Sequence, residues 1–99
     1  VMLSVRRLLF SAKAMITSSS PQKTDVIYGR TLLLNCEAIG HPEPRILWRT
    51  PSKKLVDAQY SFDSRIKVLL NGSITIHSVT ENDGGDYLCV ARNKMGDDN

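Results

Sequence analysis

The stretch DGGDYLCVARNKMG, residues 83–96, decides how this chain of 99 residues folds. From residue 87 its side chains alternate, so that Tyr87, Cys89 and Ala91 fall on one side of an extended chain and the residues between them on the other. Such alternation is typical of a strand with one buried and one solvated face. We therefore expect the cysteine to be buried, with the acids and glycines before it forming a turn.

Two chemical functions for this stretch, a metal loop and a reactive thiol, have little support. A calcium loop needs six or more oxygen ligands, and only three acids, at positions 81, 83 and 86, are near. A catalytic cysteine needs a histidine within reach and an exposed, electropositive setting. His41 falls in a loop and His77 on an outward strand position. The sequence thus predicts no metal, no cofactor and no enzymatic activity.

The same period of two recurs outside this stretch and predicts further half-buried strands. Residues 40–44, rich in proline and glycine, separate two of them, since proline does not sit in a central strand. Asn71-Gly72 predicts a two-residue hairpin of type I′, which needs positive φ at both central positions. Short strands with turns between them predict an all-β sandwich. The expected inward residues are Leu32, Leu34, Cys36, Ala38, Ile46, Trp48, Ile66, Val68, Ile74 and Ile76.

The net charge of +3 does not indicate a nucleic-acid partner. Residues 1–20 carry three basic and no acidic side chains, whereas residues 21–99 carry ten of each. A nucleic-acid-binding domain concentrates its basic charge on the folded surface, and here the body of the chain is neutral. No apolar run approaches the ~18 residues of a membrane span.

The two cysteines, Cys36 and Cys89, are 53 positions apart. Their number excludes a zinc cluster of the CxxC kind. One distant pair fits either a single disulfide formed in an oxidising compartment or two buried free thiols in a cytosolic protein.

Four segments taken together carry a resemblance to a known family. The tryptophan 12 positions after the first cysteine and the tyrosine two before the second resemble those of an immunoglobulin domain of the I-set, over residues 13–97. Within that family the chain is similar to the repeats of large secreted matrix proteins of the adlican (matrix-remodelling-associated) and immunoglobulin-superfamily-member-ten kind. The segments are Leu32-x-Leu34-x-Cys36, Gly40-x-Pro42-x-Pro44-x-Ile46-x-Trp48, Asn71-Gly72-Ser73-Ile74-x-Ile76 and Asp83-x-Gly85-x-Tyr87-x-Cys89-x-Ala91-x-Asn93-x-x-Gly96.

The resemblance implies an immunoglobulin-like antiparallel β-sandwich with structural roles for the marked residues. Cys36 and Cys89 would join the two sheets through a disulfide, against which Trp48 would pack. Tyr87 would hydrogen-bond to the backbone of the preceding corner. An ion pair between Arg65 and Asp83 would close that end of the sandwich.

The function implied by the resemblance is that of a non-catalytic extracellular module, a spacer and protein-binding unit between neighbouring immunoglobulin domains in an adhesion or matrix protein. The alternative is an intracellular load-bearing module of the muscle-filament kind, with reduced cysteines.

Apart from the resemblance, the alternation places apolar residues with arginines at their margin on the outward side of two strands, a composition common at interfaces. This candidate protein-binding face consists of Leu47, Arg49, Leu88, Val90 and Arg92. The alternative is that these are the single apolar residues that are ordinary on a protein surface. A weak contact with sulfated glycans would use a basic cluster formed by Arg45, Arg49, Lys53 and Lys54; the alternative for this cluster is a solvated charged surface without a ligand.

Residues 71–73, Asn-Gly-Ser, form an N-glycosylation sequon in the same predicted hairpin. Exposed turns are where such glycans attach, so Asn71 is a candidate glycosylation site in a secreted chain.

Both ends of the chain carry expectations of their own. Residues 1–12 are expected to be a disordered linker or non-native leader, and residues 13–99 the domain. Because only three residues follow Gly96, we expect the final strand of this family, strand G, to be missing or truncated and the preceding strand to keep an uncovered edge.

Overall fold

The computed structural model describes residues 11–99. Within this range the chain forms nine β-strands and a 3₁₀ helix, Glu81–Asp83, which confirms the all-β class. The strands are β1 (Ala12–Ser19), β2 (Leu32–Leu34), β3 (Cys36–His41), β4 (Arg45–Arg49), β5 (Leu55–Val56), β6 (Ile66–Val68), β7 (Ile74–Ile76), β8 (Leu88–Asn93) and β9 (Gly96–Asp98).

The strands form a three-stranded sheet of order β2-β7-β6 and a four-stranded sheet of order β5-β4-β8-β9, while β1 pairs with β3. Every pairing is antiparallel. β2 and β3 are parts of one extended segment that changes partner at Asn35. There the Ser20 hydroxyl accepts a hydrogen bond from the Asn35 backbone N–H at 2.6 Å, which satisfies the backbone at the break.

The core lies between the two sheets and is built from the positions that the alternation predicts. Of the ten expected inward residues, Ala38 and Ile46 are half-buried and the others are buried. Full burial of an aliphatic side chain contributes about 1.5–3 kcal/mol, so these residues supply the main driving force for folding. The buried cluster consists of Leu32, Leu34, Cys36, Trp48, Val56, Ile66, Val68, Ile74, Ile76 and Cys89.

A disulfide between Cys36 and Cys89 joins β3 to β8, with the two Cα atoms 6.5 Å apart. The structure thus shows the disulfide and not the pair of free thiols. Trp48 lies directly opposite Cys89 in the β4–β8 pairing and is 4% exposed. Its indole N–H donates a hydrogen bond of 2.8 Å to the Gly72 carbonyl, which ties the β6–β7 hairpin to the centre of the core.

The hairpin at Asn71 and Gly72 exists, but its predicted turn type is wrong. Gly72 has a φ of 96°, whereas Asn71 does not have positive φ. The Gly72 N–H donates to the Leu69 carbonyl at 2.9 Å, and the Leu69 N–H donates to the Ser73 carbonyl at 2.7 Å. This pattern is typical of the longer hairpin loop in which one glycine of positive φ follows a turn.

Strand G is present as the three-residue β9, so the expectation of an uncovered β8 edge is wrong for part of that strand. β9 pairs with residues 91–93 of β8. Among the described residues, no strand pairs with residues 88–90 on that side. A groove of about 820 Å³ opens there, and Trp48 and Cys89 are among its lining residues.

The first strand begins one residue earlier than the predicted domain. Ala12 pairs with His41 in the β1–β3 ladder, so the expected leader does not extend to residue 12. The remainder of that expectation, over residues 1–10, lies outside the described residues.

Candidate protein-binding face on strands β4 and β8

The solvent side of the four-stranded sheet carries the predicted binding residues. In the β4–β8 pairing Leu47 lies opposite Val90, and Arg49 lies opposite Leu88. These pairs alternate with the Trp48–Cys89 pair, which faces the core, so they point away from it. Leu55 of β5 lies opposite Arg49 on the other side and extends the surface. We call this surface the outer face; its members are Arg45, Leu47, Arg49, Leu55, Leu88, Val90 and Arg92.

Leu47 does not offer the contact area that the sequence predicts, because it is only 8% exposed. It lies on an interior strand, between β5 and β8. Near Leu47, Arg45 forms an ion pair with Asp57 at 2.6 Å. Asp57 comes directly after Val56, which is paired with Trp48. Leu47 is therefore part of the packed sheet, and the prediction is wrong for this residue.

The arginines of the outer face differ in whether their charge is paired within the domain. The Arg92 guanidinium donates to both carboxylate oxygens of Asp97 at 3.1 Å, and Arg45 pairs with Asp57. Arg49 is exposed and forms no salt bridge within residues 11–99. Its charge is thus available to a partner, and it stands between the exposed Leu55 and the half-buried Leu88.

The predicted basic cluster for sulfated glycans is divided by contacts inside the domain. Arg45 is engaged by Asp57. The Lys54 ammonium lies 4.9 Å from the centre of the Phe62 ring, a cation–π distance. All four residues are exposed, and within residues 11–99 only Arg49 and Lys53 lack such a contact.

The predicted ion pair between Arg65 and Asp83 forms at one end of the sandwich. Both terminal nitrogens of Arg65 donate to Asp83, at 3.0 and 3.1 Å, and Arg65 also donates to Asp63 at 3.1 Å. The Asp83 side chain is only 9% exposed. We call Asp63, Arg65, Asp83 and Tyr87 the corner cluster.

The charges of the corner cluster shift one another's protonation. Hydrogen bonds from Arg65 hold the pKa of the Asp83 carboxyl below its usual value of 3.8, despite partial burial. The backbone N–H of Arg65, followed by its side chain, lowers the pKa of Asp63 in the same direction. Both carboxylates are therefore ionised at neutral pH, and both are hydrogen-bonded to Arg65.

Tyr87 completes the corner by donating its hydroxyl to the Asp83 backbone carbonyl at 2.6 Å. Burial, helped by the negative charge of Asp83, raises the pKa of Tyr87 to about 12. Asp83 thus has two structural roles: its carboxylate binds Arg65 and its carbonyl binds Tyr87.

Asn93 is a structural residue whose role the sequence reasoning missed. Its amide nitrogen donates to the Ala12 carbonyl at 2.7 Å and to the Pro42 carbonyl at 3.0 Å. Its amide oxygen accepts from the backbone N–H groups of Ala14 and Met95. The only sequence signal was its place in the Ala-x-Asn-x-x-Gly segment, which does not say that it joins β1, β8 and a distant loop.

A sequence profile of the immunoglobulin domain family matches residues 14–93, most of the strands described above. The chain belongs to the immunoglobulin domain family. The resemblance inferred from the cysteine, tryptophan and tyrosine spacing is thereby confirmed.

The immunoglobulin domain is 61% identical to human matrix-remodeling-associated protein 5 and 53% identical to human immunoglobulin superfamily member 10. Both alignments cover 99% of this chain, which spans only 3% and 4% of the length of those relatives. Among solved structures, that of neural ectodermal development factor IMP-L2 matches 98% of this chain and 44% of its own, with a TM-score of 0.79 and 26% identity.

The comparisons also decide the broad class of this immunoglobulin domain. Like the immunoglobulin domains of the matrix and adhesion proteins to which it is homologous, it is extracellular, secreted or at the cell surface. The intracellular, muscle-filament alternative is therefore wrong. No helix within residues 11–99 is long and apolar enough to cross a membrane.

Proposed function

We propose that this immunoglobulin domain is a spacer and protein-binding unit of a multidomain matrix or adhesion protein, and that it binds its protein partner through the outer face. The observation that carries the proposal is Arg49. It is an exposed guanidinium between two leucines with no ion-pair partner in the described residues, whereas Arg45 and Arg92 on the same face are paired with acids. Interface centres are enriched in arginine beside apolar contacts.

The chemistry of the outer face limits the partner that it would bind. Leu55 is 43% exposed and Leu88 is half-buried, so they offer modest apolar area on either side of Arg49. A complementary protein surface would place a carboxylate against Arg49, where bidentate hydrogen bonds are geometrically favoured. The two paired arginines lie away from this centre, where rim charges affect the association rate more than the affinity.

The spacer role is supported by the direction of the first and last strands. Ala12, the first residue of β1, lies at the end of the sandwich formed by His41, Pro42 and Asn93. β9 runs antiparallel to β8, and β8 itself runs toward that same end. The last strand is therefore directed away from the point where β1 begins, which suits domains joined in a row.

The binding proposal is tested by attaching the whole chain to beads and measuring its retention on matrix deposited by cultured fibroblasts. We expect Arg49→Glu to lower retention at least several-fold. The matched control is Lys67→Glu, an equal charge reversal at an exposed position of β6 on the opposite sheet. Equal retention of the wild type and the Arg49 variant would overturn the proposal.

A second arm separates a protein partner from a glycan partner. Digestion of the matrix with heparinase is expected to leave retention unchanged, because Arg45 and Lys54 of the basic cluster already have partners in the domain. If heparinase abolished retention, the ligand would be a sulfated glycan and the proposed protein contact would be wrong.

A further inference from the structure

The Asn-Gly-Ser sequon lies at the tip of the β6–β7 hairpin. Its asparagine is exposed to solvent, whereas its glycine and serine are buried. Asn71 is exposed, and its side-chain oxygen accepts a hydrogen bond from the Ser73 N–H at 3.0 Å. Within residues 11–99 its amide nitrogen has no hydrogen-bond acceptor. The neighbouring Leu70 is 99% exposed and Leu69 is 43% exposed. The reactive nitrogen is thus free, at the edge of an exposed apolar tip.

The other two residues of the sequon are part of the core. Gly72 is buried, and a side-chain carbon at this position would collide with the Cys36 carbonyl oxygen. Ser73 is 3% exposed, and its hydroxyl donates to the Asn35 side chain at 3.0 Å. In the folded domain the hydroxyl that defines the sequon is therefore out of reach of another protein.

From this division we propose that Asn71 carries an N-linked oligosaccharide and that the sugar is attached before the β6–β7 hairpin closes. The transferase that reads Asn-x-Ser must reach the hydroxyl two residues after the asparagine. Only an open hairpin presents Asn71 and the Ser73 hydroxyl together. When the hairpin then closes, it can adopt its native conformation with the sugar attached, because Asn71 is exposed to solvent in the native turn.

The reaction joins two components that a secreted chain meets during synthesis. The Asn71 amide nitrogen attacks the first sugar carbon of an oligosaccharide linked to a polyprenyl diphosphate. A carbon–nitrogen bond forms, the carbon–oxygen bond to the diphosphate breaks, and the amide loses one proton. The lipid diphosphate leaves, with no change of oxidation state.

The attached sugar would cover the apolar tip without blocking the Arg49 region of the outer face. Leu69 and Leu70 border a hollow of about 220 Å³ that is also lined by Pro44, Arg45 and Asp57. A bulky, solvated glycan there shields two exposed leucines. Arg45 and Asp57 are already paired with each other, so the glycan would sit over the closed margin of the outer face.

Occupancy is tested by secreting the whole chain from mammalian cells and measuring its mass before and after digestion with peptide-N-glycosidase F. We expect a loss of mass for the wild type that is absent in both Asn71→Gln and Ser73→Ala. A wild-type protein that is secreted with no glycan would overturn the site.

The timing is tested with folded chain from bacteria, incubated with microsomal membranes and a lipid-linked oligosaccharide. The control carries Gln22→Asn and Asn71→Gln, which move the sequon to the exposed loop of residues 22–24. Folded control is expected to accept sugar and folded wild type is not, whereas both accept it after reduction and unfolding. Equal transfer to folded wild type and folded control would show that the closed hairpin is a substrate and would refute the order of events.

Discussion

The corner cluster and the outer face use arginine in opposite ways. The Arg65 side chain donates five hydrogen bonds within the domain, to the carboxylates of Asp63 and Asp83 and to the carbonyls of His77 and Ser78. Arg49 forms no salt bridge in the described part of the chain and stands exposed between leucines. The Arg65 guanidinium is bound within the domain, whereas the Arg49 guanidinium is available to bind a partner protein.

This difference separates stability from binding at the level of single residues. Removing a partner from a hydrogen-bonded, partly buried network leaves polar groups unsatisfied and lowers the free energy of unfolding. Removing an exposed, unpaired charge leaves nothing unsatisfied in the isolated domain. Substitutions in the corner cluster should therefore change stability, and those at Arg49 should change binding alone.

The largest effect on stability is expected from the disulfide that joins β3 to β8. Replacing Cys36 and Cys89 together by alanine removes a cross-link over more than fifty residues, worth about 4 kcal/mol of unfolding free energy on the chain-entropy estimate. Urea denaturation of the purified variant measures the loss. Unchanged stability would mean that the sheets are held by packing alone.

The next effect concerns Asp83→Asn, which should lower the unfolding free energy at pH 7 by about 1–3 kcal/mol because the buried carboxylate loses its charged hydrogen bonds. Asp83 has a lower pKa in the folded than in the unfolded chain. Its contribution is therefore complete above the ordinary value of 3.8 and is lost as the pH falls through the folded value. Urea titrations at several pH values should show a steeper acid decline in wild type than in Asp83→Asn.

A smaller effect on the free energy of unfolding is expected from Tyr87 of the corner cluster at alkaline pH. The pKa of Tyr87 rises from 10.0 to about 12 on folding. Since the neutral phenol is the form favoured in the fold, its contribution is complete below pH 10 and is lost as the pH rises through 12. Tyr87→Phe should remove this part of the alkaline decline, whereas Tyr60→Phe, at a tyrosine that is 61% exposed, should not. Identical profiles for both variants would assign the decline to other groups.

The smallest effect on stability is expected at Arg49. This substitution directly tests the contrast between the outer face and the corner cluster. Arg49→Ala should keep the unfolding free energy within about 0.5 kcal/mol of wild type, measured in the same urea series as Asp83→Asn. A loss as large as that of Asp83→Asn would show that Arg49 belongs to the scaffold and would remove the basis for the proposed binding centre.

The sequence by itself determined the alternating strands that line the core and their inward residues, but it predicted neither β1 nor β5. Alternation at period two is a local property of an extended chain, so it could be read for residues as distant as Leu32 and Ala91. The corner residues were also accessible, because Arg65, Asp83 and Tyr87 lie at positions that the family resemblance marks. These predictions needed no knowledge of what each side chain finally touches.

Only the tertiary structure decided which outward residues are open. Leu47 is covered because its strand lies between two others. Arg45 is paired with Asp57, directly after β5, and Arg92 with Asp97 of β9. Asn93 joins segments about eighty residues apart through its side-chain hydrogen bonds. Alternation tells which side of a sheet a residue occupies, but exposure and charge pairing depend on neighbours that the fold brings from elsewhere. For that reason Arg49 could be distinguished from the other arginines only once the sheets were assembled.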